Sequence, residues 1–511
     1  MPTRPIVLAI DQGTTNSKAL AVDAAGRVVA RAARALAPIR TPEPGWFEQD
    51  PEDLWQATLA AVGQCLDGAG ESDEVEIAGI ALANQRESVV AWRASTGEPL
   101  GPALGWQDAR TSQRCDALES RQPGAASLIH ARTGLRLDPM FSAPKMAWLL
   151  ESLGGPPAAG AGDVRIGTID AYLIARLTGE CATEAGNASR TLLFDLRTLA
   201  WDDDLLALFG LPAAVLPPVR ASNAGFGTTR AGLGALPAGL GVTAVLGDSH
   251  AALYGHGLTA PGAGKVTYGT GSSVMAPVLA LGATLPEPVS TTLVWLGETP
   301  FYAREGNVIA TGAAVDAMAH LLRFESVGTM LALVEVAPAS SGGTVGATTG
   351  LSIVPAFSGL GAPYWDRAAQ PVIVGWGRDT SAADLAAAAL DAVAQQVCDV
   401  VDAMRDAGDA LDALHADGGA SVNPALMQLQ ADLAGLPVLV AGVTEASALG
   451  VARLAWETLD GGTPAPWDDG GHTRIYEPRR DAAWRAAQRA RWHAAVAVSR
   501  GRADRTTGRG R

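Results

Sequence analysis

Cysteine is scarce: Cys65, Cys115, Cys181 and Cys398 are the four in 511 residues, widely separated and with no C-x-x-C pair. That spacing speaks against a disulfide framework or a zinc site and predicts a reducing, cytoplasmic setting. Long apolar runs are missing too. No stretch reaches the roughly 18 uncharged residues of a membrane-spanning helix, and "MPTRPIVLAID" meets an aspartate too early for a secretory segment. Basic charge is in deficit, with 38 Lys and Arg against 53 Asp and Glu, a net −15. This balance opposes nucleic acid and anionic membranes as partners, yet leaves room for a small phosphate ligand held in a local pocket. The exception is the Gly- and Arg-rich end "SRGRADRTTGRGR", which predicts a disordered basic tail over 496–511.

What is present is ample apolar material, 48% of residues, in a chain long enough for two or more domains. "PIVLAI", "KALAVD" and "RVVARAA" read as successive strands with short polar turns between them. "DPEDLWQATLAAVGQCLDGAG" carries the marks of a helix: Asp50 as cap, Pro51 in the first turn, acids at Glu52 and Asp53, and a stripe of Trp55, Leu59, Val62 and Leu66 ending at Gly68. "VEIAGIALANQ" follows as a buried strand. The second half repeats this grammar in "KVTYGTGSSVMAPV", a long helix with Ala389, Val393, Val397, Val400 and Met404 on one face, and "ALHADGGASVNPALMQLQADLAG". The economical expectation is a duplicated α/β fold, with parts 1–255 and 256–495 dividing near residues 255–264.

Three strand ends carry small hydrogen-bonding residues: "DQGTT", "YGTGSS" and "DGGASVN". Each is an ordinary turn on its own. Together, at strand ends of an α/β chain, they point to a nucleotide whose phosphates meet backbone N–H groups. Asp11, beside the first turn, suits a water-mediated Mg²⁺ or else caps the hairpin. Asp248 in "VLGDSH" is either a helix cap or a general base for a hydroxyl attacking a γ-phosphate. His250 and His256, six residues apart, are poor metal ligands. Arg86 and Glu87 in "NQRES" form either a solvated pair or a clamp on vicinal hydroxyls, and Trp106 offers a flat face to the carbon side of a polyol.

With "IVLAIDQGTTNSKAL", "NQRESVVAWRASTGEPLGPALGWQDART", "TGLRLDPMFSAPKMAWLL", "GNASRTLLFD", "TYGTGS", "VPAFSGLGAPYWD" and "DGGASVNPALMQLQADLAG" in this order, the chain resembles the FGGY family of carbohydrate kinases, glycerol kinases in particular. The resemblance implies two actin-like (ribonuclease H-like) ATPase domains facing a nucleotide cleft, ATP and Mg²⁺ as cofactors, and a small polyol or sugar as substrate; a homo-oligomer is compatible with it. By position it assigns Thr14, Thr15, Asn16, Lys18, Thr270, Gly312, Asp316, Gly419 and Asn423 to the nucleotide and Asp11 to the metal. It assigns Asp248 as the base, and Arg86, Glu87, Trp106, Met140 and Ser249 to the substrate.

The departures bear on substrate. Met140 stands where glycerol kinases carry tyrosine, Ser249 where they carry glutamine, Ser273 where they carry phenylalanine, and Asp316 where they carry glutamine near the nucleotide. Shorter groups around a retained Arg–Glu clamp predict room for something longer than glycerol. Asp108 and Arg110 in "WQDART" have a flavour of ketose kinases, so a ketose kinase is the alternative. A non-catalytic actin-like ATPase is more remote, since it has no use for the clamp. "TTRAGLGALPAG" stands where some glycerol kinases have a glycine- and lysine-containing loop for an allosteric sugar bisphosphate, so that loop is missing.

Overall fold

The computed structural model describes residues 4–70, 75–155, 162–335, 350–442, 445–461 and 472–506. The chain forms two compact units. Unit 1 comprises Met1–Gly257, Leu279–Ala303 and Glu445–Asp469; unit 2 comprises Leu258–Val278, Arg304–Thr444 and Gly470–Arg511. The chain first passes from one unit to the other beside the stretch 255–264, but two later segments, from Leu279 and from Glu445, return to unit 1.

Unit 1 is built on a five-stranded sheet. Strands Arg4–Gln12, Asn16–Asp23 and Val28–Ala35 form an antiparallel meander. Strands Val75–Asn84 and Val242–Gly247 lie parallel to Arg4–Gln12 on its other side. Ile6, Leu8 and Ile10 share one face with Ala19 and Ala21 of the neighbouring strand, as the pleat requires, and Val7 and Ala9 between them are equally buried. Helix Pro51–Ala69 covers that face through Leu54, Trp55, Ala61, Val62 and Cys65. Asp50 caps it, accepting from the Glu52 N–H at 2.9 Å. It runs past Gly68 to a cap at Gly70, because one glycine in a well-buried helix weakens it by only about 1 kcal/mol.

Helix Ala446–Leu459 packs against helix Asp248–Gly255 at very close range. A Cβ on Gly450 would lie 1.8 Å from the Ala251 carbonyl oxygen, so only glycine fits there. The indole N–H of Trp456 also reaches the Val22 carbonyl at 3.1 Å, tying this late segment to the first sheet.

Unit 2 repeats the plan. Strands Gly262–Tyr268 and Ser272–Val278 form an antiparallel hairpin, and Pro300–Val308, in unit 2 from Arg304 onward, lies beyond it. Strand Leu411–Asp417 runs parallel to Gly262–Tyr268, and Val438–Ala441 parallel to that. The order meander, first strand, two parallel strands is therefore shared by both units, which agrees with the expected duplication. The 25-residue helix Ala382–Asp406 buries Ala389, Val393, Val397, Val400 and Met404, and starts at a capping box of Ser381 and Asp384. No helix among the described residues is long and apolar enough to cross a membrane.

The basic end needs correction. Helix Ala482–Thr506 continues well into the expected tail. Trp492, Ala495, Val496 and Ser499, at i, i+3, i+4 and i+7, form a buried face. Arg500 pairs with Asp366 at 2.8 Å and stands over the Tyr364 ring. The apolar spacing, masked in composition by arginine, holds the segment down. Residues 507–511 of that tail lie outside the described residues.

Candidate active site

Three parallel strands of unit 1 end level with one another: Gln12 is paired with Asn84, and Asn84 with Gly247. This register gathers Asp11, Arg86 and Asp248 at one edge, where parallel α/β sheets bind ligands. Arg86 donates from Nε to Asp248 Oδ1 at 3.1 Å, and its Nη1 meets His250 Nε2 at 3.2 Å. The Ser249 backbone N–H also donates to Asp248 Oδ1, at 2.6 Å. Both of these bonds fall on one oxygen of a side chain that stays 37% exposed. Gly247 makes the approach possible, since a Cβ there would lie 2.5 Å from Arg86 Cδ.

Asp11 sits opposite Lys18 across the hairpin. Burial pushes its carboxyl up to about 6; Lys18 lowers it, and the carboxylates of Asp248 and Glu445 raise it further. Glu445 arrives from the start of the Ala446–Leu459 helix and also lies 3.6 Å from Arg31. More than 400 residues separate it from Asp11, so no local pattern could disclose it. Among the described residues, no group of three or more His, Cys, Asp or Glu side chains could hold a metal unaided. Mg²⁺ needs only one or two carboxylates when waters and phosphate oxygens complete its shell. Asp11 beside a phosphate-type turn fits that donor set.

The first turn is braced from several sides. Gly13 N–H donates to the Asn16 carbonyl at 3.0 Å, and Thr15 is exposed at the tip, with Asn16 Nδ2 on its hydroxyl. Trp106 Nε1 donates to Thr14 Oγ1 at 3.1 Å, and Gln49 Nε2 to the Thr14 carbonyl at 2.9 Å. Gln85 reaches Gln12 Oε1 and Gln49 Oε1, joining the "NQRES" strand end to the turn. Sequence reasoning missed Gln49 and Gln85, although Gln85 directly precedes the clamp.

Arg86 and Glu87 are drawn to different partners. Glu87 adopts φ +61° and accepts from Arg190 Nε at 2.6 Å, deep in the protein. Arg190, in the quoted "GNASRT", was given no role by sequence reasoning. Met140 is half-buried, and its carbonyl accepts from Lys145 Nζ, which also reaches the Pro139 carbonyl at 3.3 Å. Burial holds the Lys145 amine down at about 8, against the opposing pull of Asp108, Glu87 and Asp138. The Asp108–Arg110 pair is engaged internally: Arg110, 1% exposed, stands against the rings of Trp46 and Trp148 and bridges Asp108 and Glu48 at 2.9 Å each. Asp108 in turn accepts the Phe47 N–H. These two side chains have no face left for a sugar.

Unit 2 holds a cavity of about 350 Å³ lined by Tyr268, Gly312, Val315, Gly419, Val422 and Asn423, among others. The Gly269–Gly271 turn is lashed to the next helix: Gly312 N–H donates to the Gly269 carbonyl at 3.0 Å, and Thr311 N–H to the Thr270 carbonyl at 3.1 Å. A Cβ on Gly312 would lie 2.5 Å from the Gly269 oxygen, whereas Gly419 has open space before it. Asn423 caps helix Pro424–Ala434 through Oδ1. Thr270 is exposed on the turn, and Asp316 is exposed on helix Gly312–Leu321, one residue beyond Val315. Ser273 is buried here and donates to Glu305 Oε1 at 3.0 Å.

Residues 6–255 match the model of the FGGY family of carbohydrate kinases, N-terminal domain, and residues 264–457 match its C-terminal domain. The chain belongs to the FGGY family of carbohydrate kinases. As an FGGY kinase it is a phosphotransferase with an alcohol group as acceptor, on the two-domain actin-like fold. It is 44% identical to a glycerol kinase of Thermus brockianus, over 95% of this chain and 97% of that one. It is 43% identical to an apulose kinase of Pectobacterium atrosepticum, over 89% and 90%. The crystal structure of Plasmodium falciparum glycerol kinase with ADP superposes with a TM-score of 0.85 at 27% identity, covering 97% of this chain and 98% of that one.

Proposed function

We propose that this FGGY kinase transfers the γ-phosphoryl group of ATP to a primary hydroxyl of glycerol or of a somewhat larger polyol or sugar. The observation that carries the reading is Asp248, partly open to solvent, with one carboxylate oxygen held by Arg86 and the Ser249 N–H at the sheet edge that also bears Asp11. In this mechanism Arg86 and Glu87 grip neighbouring hydroxyls, and Trp106 packs on the carbon side. Asp248 takes the proton of the reacting hydroxyl as its oxygen bonds to the γ-phosphorus and the β–γ bridging oxygen leaves with ADP. A positioned base supplies roughly 10²–10⁴-fold; positioning and charge neutralisation supply the rest.

Thr14, Thr15, Asn16 and Lys18 are assigned to phosphate oxygens, and so is Thr270 on its own turn. The cavity beside Gly312, Gly419 and Asn423 takes the base of the nucleotide, with Asp316 at its margin. Asp11 would hold Mg²⁺, which would neutralise phosphate charge.

A second reading is favoured by the apulose kinase relative, whose identity to this chain matches that of the glycerol kinases. It is a ketose kinase whose longer substrate would reach toward Met140 and Ser249. The internal pairing of Asp108 and Arg110 takes those two residues out of that argument. A coupled ADP-release assay over three- to five-carbon polyols and ketoses tests both readings. At least one four- or five-carbon substrate is expected to exceed glycerol in kcat/KM. Glycerol first across the whole panel would reject the enlarged pocket, and no turnover with any member would reject the kinase mechanism.

A further inference from the structure

His250 has no place in the mechanism so far, yet it is fully buried with Nε2 3.2 Å from Arg86 Nη1. A guanidinium has N–H donors and no acceptor. The contact is therefore a hydrogen bond only when Nε2 carries a lone pair, which places the ring proton on Nδ1. The same guanidinium gives its Nε–H to Asp248 Oδ1 at 3.1 Å. The group is planar and rigid, so one bond at Nη1 and one at Nε fix its rotation.

We propose that His250, in its neutral Nδ1–H form, is a positioning residue for Arg86 and makes the grip on substrate sensitive to protonation. The inference rests on the reading of Arg86 as a substrate clamp. As pH falls and the ring gains a proton, Nε2–H faces an Arg86 N–H. Two donors and two positive charges then meet where one hydrogen bond stood, and Arg86 is driven out of its plane. The charged groups printed on the neighbouring elements have partners of their own. Asp248, on the same helix, is bound to Arg86. Asp11, Lys18 and Glu445 interact through the Asp11 carboxyl. The facing helix Ala446–Leu459 presents Ala446 and Gly450 to this one at Gly255. Its Arg453 and Glu457 pair with each other at 3.0 Å, and Glu457 also accepts the Tyr254 hydroxyl.

The test is the pH dependence of substrate KM and of kcat for the full-length enzyme, His250→Gln and His250→Ala, with ATP saturating. Glutamine offers Arg86 a carbonyl oxygen and does not titrate. The wild type is expected to show substrate KM rising about tenfold per pH unit on its acid limb, as one-proton linkage requires. His250→Gln is expected to lose that limb and recover most of what His250→Ala loses at neutral pH. A role confined to folding would lower the melting temperature of both variants and leave the limb in place. An acid limb equal in the wild type and His250→Gln, or none in the wild type, overturns the proposal. Arg86→Ala with unchanged substrate KM would instead overturn the clamp reading, whatever the limb does.

Discussion

The indole N–H of Trp106 donates to the hydroxyl of Thr14 at 3.1 Å. A residue assigned to the carbon face of the substrate thus holds a residue assigned to the phosphate turn. Trp106→Phe keeps an aromatic face and removes the donor. One neutral hydrogen bond is worth about 0.5–1.5 kcal/mol, so the KM values for nucleotide and for substrate should both rise by up to about tenfold. A rise confined to the substrate would mean that Thr14 stands without this support.

Asp248→Asn preserves size and removes the acceptor charge. If Asp248 is the base, kcat should fall by roughly a hundredfold or more, with nucleotide affinity nearly unchanged in a fluorescence titration. Near wild-type turnover would return Asp248 to a capping role.

Gly419 lines the cavity in unit 2. Gly419 has open space around its Cβ position. Gly419→Leu should therefore raise the KM for ATP while the melting temperature stays within a degree or two. Gly450→Ala does the reverse, because its methyl would collide with the Ala251 carbonyl. Overpacking typically destabilises by about 1–3 kcal/mol, so its thermal midpoint should drop clearly below that of the wild type.

Lys145 predicts a pH dependence of stability. Burial lowers its amine from the usual lysine value to about 8. Between that pH and the unfolded value of about 10.4, the unfolded chain holds the extra proton, so stability should rise with pH. Relative to Lys145→Met, the wild type should gain at most about 3 kcal/mol over that window, at ~1.4 kcal/mol per pKa unit. Denaturant titrations at pH 8 and pH 10 measure it. A flat difference would mean that the Pro139 and Met140 carbonyls hold the amine charged.

Much of this was written into local pattern. The alternation of Ile6, Leu8 and Ile10, the Asp50–Pro51 start and the Asn423–Pro424 start each specify an element from neighbouring residues alone, because pleat, cap and turn are short-range geometry. The strand-end turns and Asp11, Asp248 and Arg86 were likewise legible as types of residue at types of position. Their partners were not. Glu445 comes beside Asp11 on a segment that returns after a long excursion, and Arg190 meets Glu87 and Gln85 meets Gln49 across 103 and 36 residues of chain. Asp108 and Arg110 looked available in sequence, but the Trp46 and Trp148 rings and the Asp108 and Glu48 carboxylates enclose Arg110. Ser499, in a segment that reads as a loose tail, is buried on a helical face. Composition and spacing set which residues can form a strand, a cap or a phosphate turn. Which side chain neutralises which, and which is left open to a ligand, depends on distances across strands and helices far apart in the chain, and only tertiary packing decides them.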